Sequence, residues 1–246
     1  MEKNTVKNLE TLMDEIRLYQ PWTDKETWEK QQILDFMEKN PDCLLRGNRI
    51  AHMTASAWVV NRQRTKVLMA YHKIYDSWAW LGGHADGEAD LLQVAMKEAC
   101  EEAGVDAGLR PANPILMKAG LRPAAAEPEG RAAAGGPATN EGRAAADQGP
   151  EDAAGSLRPV REEIFSLETL TVDGHMKHGS WVPSHLHLNL TYLLEADEAE
   201  PLRINAEENT GVRWFPFEEA LAASKEPWFV EHIYSKLIRK LQIKKW

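Results

Sequence analysis

Two periods run through the hydrophobic pattern of this chain, one near 3.6 residues and one of two. Val6, Leu9, Leu12, Met13 and Ile16 recur at helical spacing, and Pro21 ends that run. Thr23 followed by Glu26 has the spacing of a capping box for a second helix, whose buried side would be Trp28, Ile33, Leu34, Phe36 and Met37. Residues 1–45 are therefore expected to be a helical extension packed on the core, with a dimerisation arm, and hence a homodimer, as the alternative. From residue 52 the period shortens. His52–Asn61 and Val67–Tyr71 predict a hairpin around a polar turn, and Trp78–Leu81 a further strand running into Gly82-Gly83. Ser184–Glu195 alternates most clearly: His185, His187, Asn189 and Thr191 point one way, Leu186, Leu188, Leu190 and Tyr192 the other. Strands are also expected around Ile115–Met117, within Val160–Val172 and up to Phe215. A helix from Glu218 and a last one over Glu226–Trp246 follow, the latter with Phe229, Ile233, Leu237 and Leu241 on one side.

Residues 122–157 break both periods. They are rich in Ala, Gly and Pro and hold no aromatic residue, Val or Ile, too little apolar surface to offset ordering entropy. They are expected to be a low-complexity disordered insertion within a domain of residues 46–246. No repeat and no second domain are evident. Strands, one central helix, more strands and late helices fit an α/β (α+β) fold, a mixed central sheet sandwiched between helices.

Leu81–Val105 is the stretch around which the rest is organised: a glycine turn, an acidic loop, one amphipathic helix and a glycine stop at Gly104. Leu92, Ala95, Ala99 and Ala103 make a small apolar stripe suited to lying flat on a sheet. Glu98, Glu101 and Glu102 stand at i, i+3 and i+4 on another side. Three carboxylates so placed repel one another unless a cation sits among them. Hard divalent ions take oxygen ligands, so Mg²⁺ or Mn²⁺ facing a phosphorylated ligand is one reading. A solvated acidic helix face is the other. Asp86, Glu88 and Asp90 fall where the helix begins, at its positive dipole end.

The same stretch resembles the box of the Nudix hydrolases: Gly, five residues, Glu, seven residues, Arg-Glu, an apolar residue, any residue, Glu-Glu, any residue, Gly, an apolar residue. Anchored on Gly104, it runs from Gly83 to Val105, with Ala89 at the first Glu and Lys97 at the Arg. In that family those two residues commonly brace the loop against the helix, and the later glutamates hold metal. The resemblance thus implies a Nudix-like α/β/α sandwich and an Mg²⁺- or Mn²⁺-dependent hydrolase of a diphosphate linkage in a nucleoside diphosphate derivative. It implies Glu98, Glu101 and Glu102 as catalytic metal ligands. Glu88 or Asp90 is the expected substitute partner for Lys97. The departures also admit a catalytically weakened nucleotide-binding or regulatory module.

Composition changes the picture in a few places. The 246 residues carry a net charge of −9, which argues against binding a nucleic-acid backbone. There is no apolar run of about 18 residues and no signal-like N-terminus, so no membrane partner is expected and the protein is read as cytoplasmic. Cys43 and Cys100 make no disulfide framework, and Cys100 is expected to be a small buried filler. Further site candidates are Gly83, for close backbone approach, and His84, His185 and His187, for substrate contact. His185 and His187 have the spacing of a metal pair, but no HExxH motif or Cys partner set accompanies them to support a zinc site. Glu207 and Glu208, with Glu168 behind them, are candidates for a general base. Arg46, Tyr71, Lys73, Tyr75, Trp78 and Trp80 precede the box and could meet a phosphate or stack on a base.

Overall fold

The structure, a computed structural model, describes residues 7–105, 157–177 and 179–243. Helices α1 (Leu9–Leu18) and α2 (Asp24–Lys39) precede strands β1 (Ala51–Asn61), β2 (Lys66–His72), β3 (Ser77–Ala79) and β4 (Leu81–His84). Helix α3 (Leu91–Ala103) follows. After residue 157 come β5 (Arg158–Pro159), β6 (Ser166–Val172), β7 (His175–Lys177), β8 (Ser180–Val182), β9 (His185–Ala196) and β10 (Asn209–Pro216). The chain ends on α4 (Phe217–Ala223), a turn α5 (Pro227–Phe229), a π-helical turn at Val230–Tyr234, and α6 (Ser235–Ile243). The expected strand at residues 115–117, residues 122–156 of the expected insertion, Val6 and the Lys244-Lys245 end lie outside the described residues, whereas Leu157, expected in the insertion, is buried in the core.

The sheet runs β10-β2-β1-β9-β5, with β6 also on β9, β3 on β2 and β4 on β1. It is mixed: β1 and β9 are parallel over their whole length, from Ala51↔Leu186 to Asn61↔Ala196, and the other pairings in this sheet are antiparallel. The strand expected over Trp78–Leu81 divides at Trp80, because β3 pairs with β2 and β4 turns to pair with β1. The β7–β8 hairpin was not foreseen.

Alternation along β1 sorts the two cores. Ala55, Ala57 and Val59 face α3, whose Leu92, Ala95, Ala99 and Ala103 are all buried against them. Small residues on both surfaces let the helix lie close to the strand. Leu12, Met13 and Ile16 of α1 and Ile33, Leu34 and Met37 of α2 belong to the same core. Burying each such side chain contributes about 1.5–3 kcal/mol to holding the two helices on the core. On the other face Trp58, Val60, Met69, Leu193 and Phe215 pack with Ile233, Tyr234, Leu237 and Ile238. The result is helix on sheet on helix, as expected.

Two burial expectations fail. Trp28 is 72% exposed, and the inward side of α2 carries Glu26 and Glu29 instead. The reason is polar: Thr169 N–H donates to Glu29 (2.9 Å), and Glu26 accepts from Ser166 (2.9 Å), Tyr19 (2.7 Å) and Lys236 (2.8 Å). Glu26 also departs from the capping box, because Thr23 caps its N–H while its carboxylate takes Trp22 N–H (2.6 Å). Cys100 is half-buried rather than buried, and Cys43 is buried.

Candidate active site

Helix α3 is capped at both ends as its sequence requires. Asp90 accepts from Gln93 N–H at 3.4 Å, and Gly104 adopts a left-handed φ of 69° while donating to the Cys100 carbonyl. The caps fix where its glutamates stand over β4. Gly82 N–H donates to Glu102 Oε2 at 3.1 Å. A Cβ at Gly82 would lie 2.5 Å from the Ala55 carbonyl oxygen, and one at Gly83 would lie 2.4 Å from the Glu98 carboxyl carbon. Gly83 is therefore needed for β4 to pass beneath Glu98, and Gly82 for its close approach to β1.

Glu98 and Glu102, one helical turn apart, form the inner pair. Glu102 is 1% exposed, and its carboxyl is pushed up to about 8, by burial first, with Glu98 and Glu208 adding. The Gly82 N–H and the neighbouring Asn209 carboxamide pull the other way. Burial also raises Glu98, against the pull of Lys97. His72 Nε2 stands 3.7 Å from Glu102, but burial lowers the His72 pKa, so it offers little positive charge. Glu101 is turned outward, its side chain 44% exposed, 3.3 Å from Lys97.

The sequence expectations sort clearly around this pair. Lys97 reaches Glu98 (3.5 Å) and Glu101 (3.3 Å), not Glu88 or Asp90. Asp90 is held by Lys7 at 3.1 Å, and Glu88 accepts from Asp90 N–H. Ala89 is buried. The loop is braced differently: Arg46 grips Asp86 through two hydrogen bonds, and Gly87 N–H donates to the Leu44 carbonyl. Of the base candidates, Glu208 acts electrostatically on Glu98, Glu102, His72 and Arg46, and Glu207 donates its backbone N–H to Asn205 at 3.2 Å. Lys73 ties that loop down, its N–H donating to the Glu208 carbonyl at 3.2 Å. Glu168 lies elsewhere, buried 2.9 Å from Lys236 and accepting from Asn189 and Thr191. Trp80 is buried in the core, and Tyr71 and Trp78 pack edge to face.

His84, His185 and His187 are brought together, but on the opposite face of the sheet from Glu98, because Gly83 and His84 are consecutive in β4 and point opposite ways. His52 joins them and was missed in the sequence. The signal was there: His52, Thr54 and Ser56 put a polar residue at every second position of β1, beside the His187, Asn189 and Thr191 face of β9.

No family model matches the chain, and no curated protein matches it. Solved structures similar to it include Nudix hydrolases. A Nudix hydrolase from M. smegmatis is 13% identical over 79% of this chain and 89% of its own, with a TM-score of 0.42. A NUDIX-family hydrolase from Clostridium perfringens is 18% identical over 78% and 96%, with a TM-score of 0.39. A C. elegans Ap4A hydrolase is 14% identical over 77% and 94%, with a TM-score of 0.41. Likenesses this loose add nothing to the chemistry, which rests on the box residues and their geometry.

Proposed function

We propose that the chain is a divalent-metal-dependent hydrolase of the Nudix type, cleaving a phosphoanhydride bond in a nucleoside diphosphate derivative. One observation carries this: a buried carboxylate, Glu102, beside a partly buried one, Glu98, both packed on the Gly82-Gly83 backbone, with the Glu102 carboxyl raised to about 8. An acid pair of this kind is costly alone and becomes favourable around a cation. An all-oxygen donor set suits Mg²⁺ or Mn²⁺. Glu98 and Glu102 would hold the ion, with Glu101 at the rim.

Such an ion would neutralise the phosphate oxygens at the bond to be broken. The chain's own groups do the rest. Gly83, lacking a Cβ, leaves the backbone open to the ion and the phosphate. Arg46, half-exposed and aligned by Asp86, presents a planar cation to a phosphate oxygen. Glu208, exposed and electrically coupled to both inner glutamates, takes the proton from the attacking water. Among the described residues no helix is long and apolar enough to cross a membrane.

The second reading is a nucleotide-binding module with little turnover. It is favoured by Ala89 and by a Lys97 turned away from the loop. The deciding experiment is phosphate-product release from nucleotide sugars, dinucleoside polyphosphates, ADP-ribose, NADH and nucleoside triphosphates, with Mg²⁺ and Mn²⁺, beside Glu102→Gln. Metal-dependent cleavage lost in Glu102→Gln supports the hydrolase. Nucleotide-induced stabilisation without cleavage supports the module.

A further inference from the structure

A second donor set lies across β4 from the glutamates. His52 of β1, His84 of β4 and His187 of β9 each offer a ring nitrogen, and the three nitrogens lie within 4.8 Å of one another. Among the described residues this is the one group of three metal-type side chains drawn so close; the three box glutamates do not meet that spacing. His185 stands beside them. Ring centroids are 4.9 Å apart for His52–His185, 5.0 Å for His52–His187 and His185–His187, 4.8 Å for His84–His187 and 5.2 Å for His52–His84.

Hydrogen bonds settle which nitrogens are available. His52 Nδ1 lies 3.0 Å from the Asn48 carbonyl oxygen, which can only accept, so Nδ1 carries the hydrogen. Its Nε2 then has a lone pair; that atom is buried and meets no hydrogen-bond partner. His185 Nδ1 likewise donates to the Pro183 carbonyl at 2.9 Å. With that hydrogen on Nδ1, His185 Nε2 can accept from His187 Nε2, 3.2 Å away, which leaves the His187 Nδ1 lone pair for a metal. A ring whose far N–H is tied to a fixed acceptor is the usual arrangement of a metal-ligating histidine.

The geometry points to a metal site of His52, His84 and His187, with His185 as a positioning residue, for a late first-row divalent ion such as Zn²⁺. Imidazole nitrogens suit Zn²⁺, Cu²⁺, Fe²⁺ and Ni²⁺, and not the hard Mg²⁺ expected on the other face. Ligation at about 2.1 Å with tetrahedral angles needs nitrogens about 3.4 Å apart. The rings therefore close by about 1.4 Å at most, within the reach of side-chain rotation. Three ligands leave one position for water or a phosphate oxygen. An ion there would also clamp three strands, β1, β4 and β9, at one end. The site does not rest on the reading of the glutamates.

The test uses the full chain, stripped with a chelator and titrated with Co²⁺ as a coloured substitute for Zn²⁺, then with Zn²⁺ in competition. Bound metal is counted by equilibrium dialysis. The expected result is one Co²⁺ per chain with the visible absorption of a nitrogen-ligated, low-coordinate ion, displaced by Zn²⁺. It persists in Glu102→Gln and is lost in both His84→Gln and His187→Gln. His84 is partly exposed and is the variant that keeps the fold. His185→Gln weakens binding about 10–100-fold without abolishing it. Absorption unchanged in His84→Gln, absorption lost in Glu102→Gln, or no uptake by the folded wild type would overturn the proposal and leave a hydrogen-bonded histidine cluster.

Discussion

Replacing Glu102 by Gln separates a strained acid from an inert one. The Glu102 carboxyl moves from 4.5 in the unfolded chain to about 8 in the folded one. Between those values the folded state holds more protons than the unfolded state, so the group's contribution to stability falls as pH rises. From pH 6.5 to 8.5 the loss is about 2 kcal/mol, close to 1.4 kcal/mol per unit at first and levelling above pH 8. Gln keeps the side-chain length and an oxygen for the Gly82 N–H, but never ionises. Urea unfolding in a chelator, across that pH range, gives the stability of both proteins. The wild type should lose about 2 kcal/mol relative to Glu102→Gln as pH rises. Adding Mg²⁺ at pH 8.5 should restore wild type, by about 2.7 kcal/mol at a hundredfold excess over Kd, and leave the variant unmoved. Parallel pH profiles for the two proteins would refute the buried-acid account. A Mg²⁺ response equal in both would remove Glu102 from the metal site.

The two glycines beneath the acids should respond differently to alanine. At Gly82 the new Cβ meets backbone, so Gly82→Ala should cost about 2 kcal/mol or more in chemical denaturation. At Gly83 it meets only the movable Glu98 carboxyl, so Gly83→Ala should stay folded while Mg²⁺ affinity drops. Equal destabilisation would contradict that distinction. Lys236 lies between buried Glu26 and Glu168, and Lys236→Met should lower unfolding free energy by about 3–5 kcal/mol. A loss under 1 kcal/mol would mean that the pair is wetter than its burial indicates. Asp90→Ala should cost about 1 kcal/mol through the lost cap of α3, read from the denaturation midpoint.

Most of the architecture was legible because periodicity and caps are local. The faces of β9, the apolar stripe of α3 and the stop at Gly104 followed from spacing alone. What escaped depended on partners distant in sequence. Trp28 reads as a core residue until α2 meets β6, where Thr169 and Ser166 demand the acids Glu26 and Glu29. The division of the Trp78–Leu81 strand is set by a change of partner from β2 to β1, which no local pattern records. At the site, the glutamate spacing showed which side chains share a helix face but not their rotamers. Glu98 and Glu102 turn inward while Glu101 follows Lys97 outward. The substitute for the missing Ala89–Lys97 brace involves Arg46, forty residues before Asp86.

The two donor sets meet at a single strand, and their separation has a chemical consequence. At any site with nitrogen donors, Zn²⁺ or Cu²⁺ outcompetes Mg²⁺ by the usual order of affinities. If the histidines reached the carboxylate side, an ion of that kind would occupy the position proposed for Mg²⁺. The pleat of β4 prevents this: Gly83 opens toward Glu98, and the next residue, His84, turns to His52 and His187. One covalent step thus moves from an oxygen environment to a nitrogen one. Activity followed with Mg²⁺ in chelator-treated protein would report on the glutamates alone. The change produced by adding one equivalent of Zn²⁺ would then report on the histidine face, because that ion prefers the nitrogens. Inhibition equal in wild type and His84→Gln would place the Zn²⁺ on the carboxylates and show that the strand does not keep the two chemistries apart.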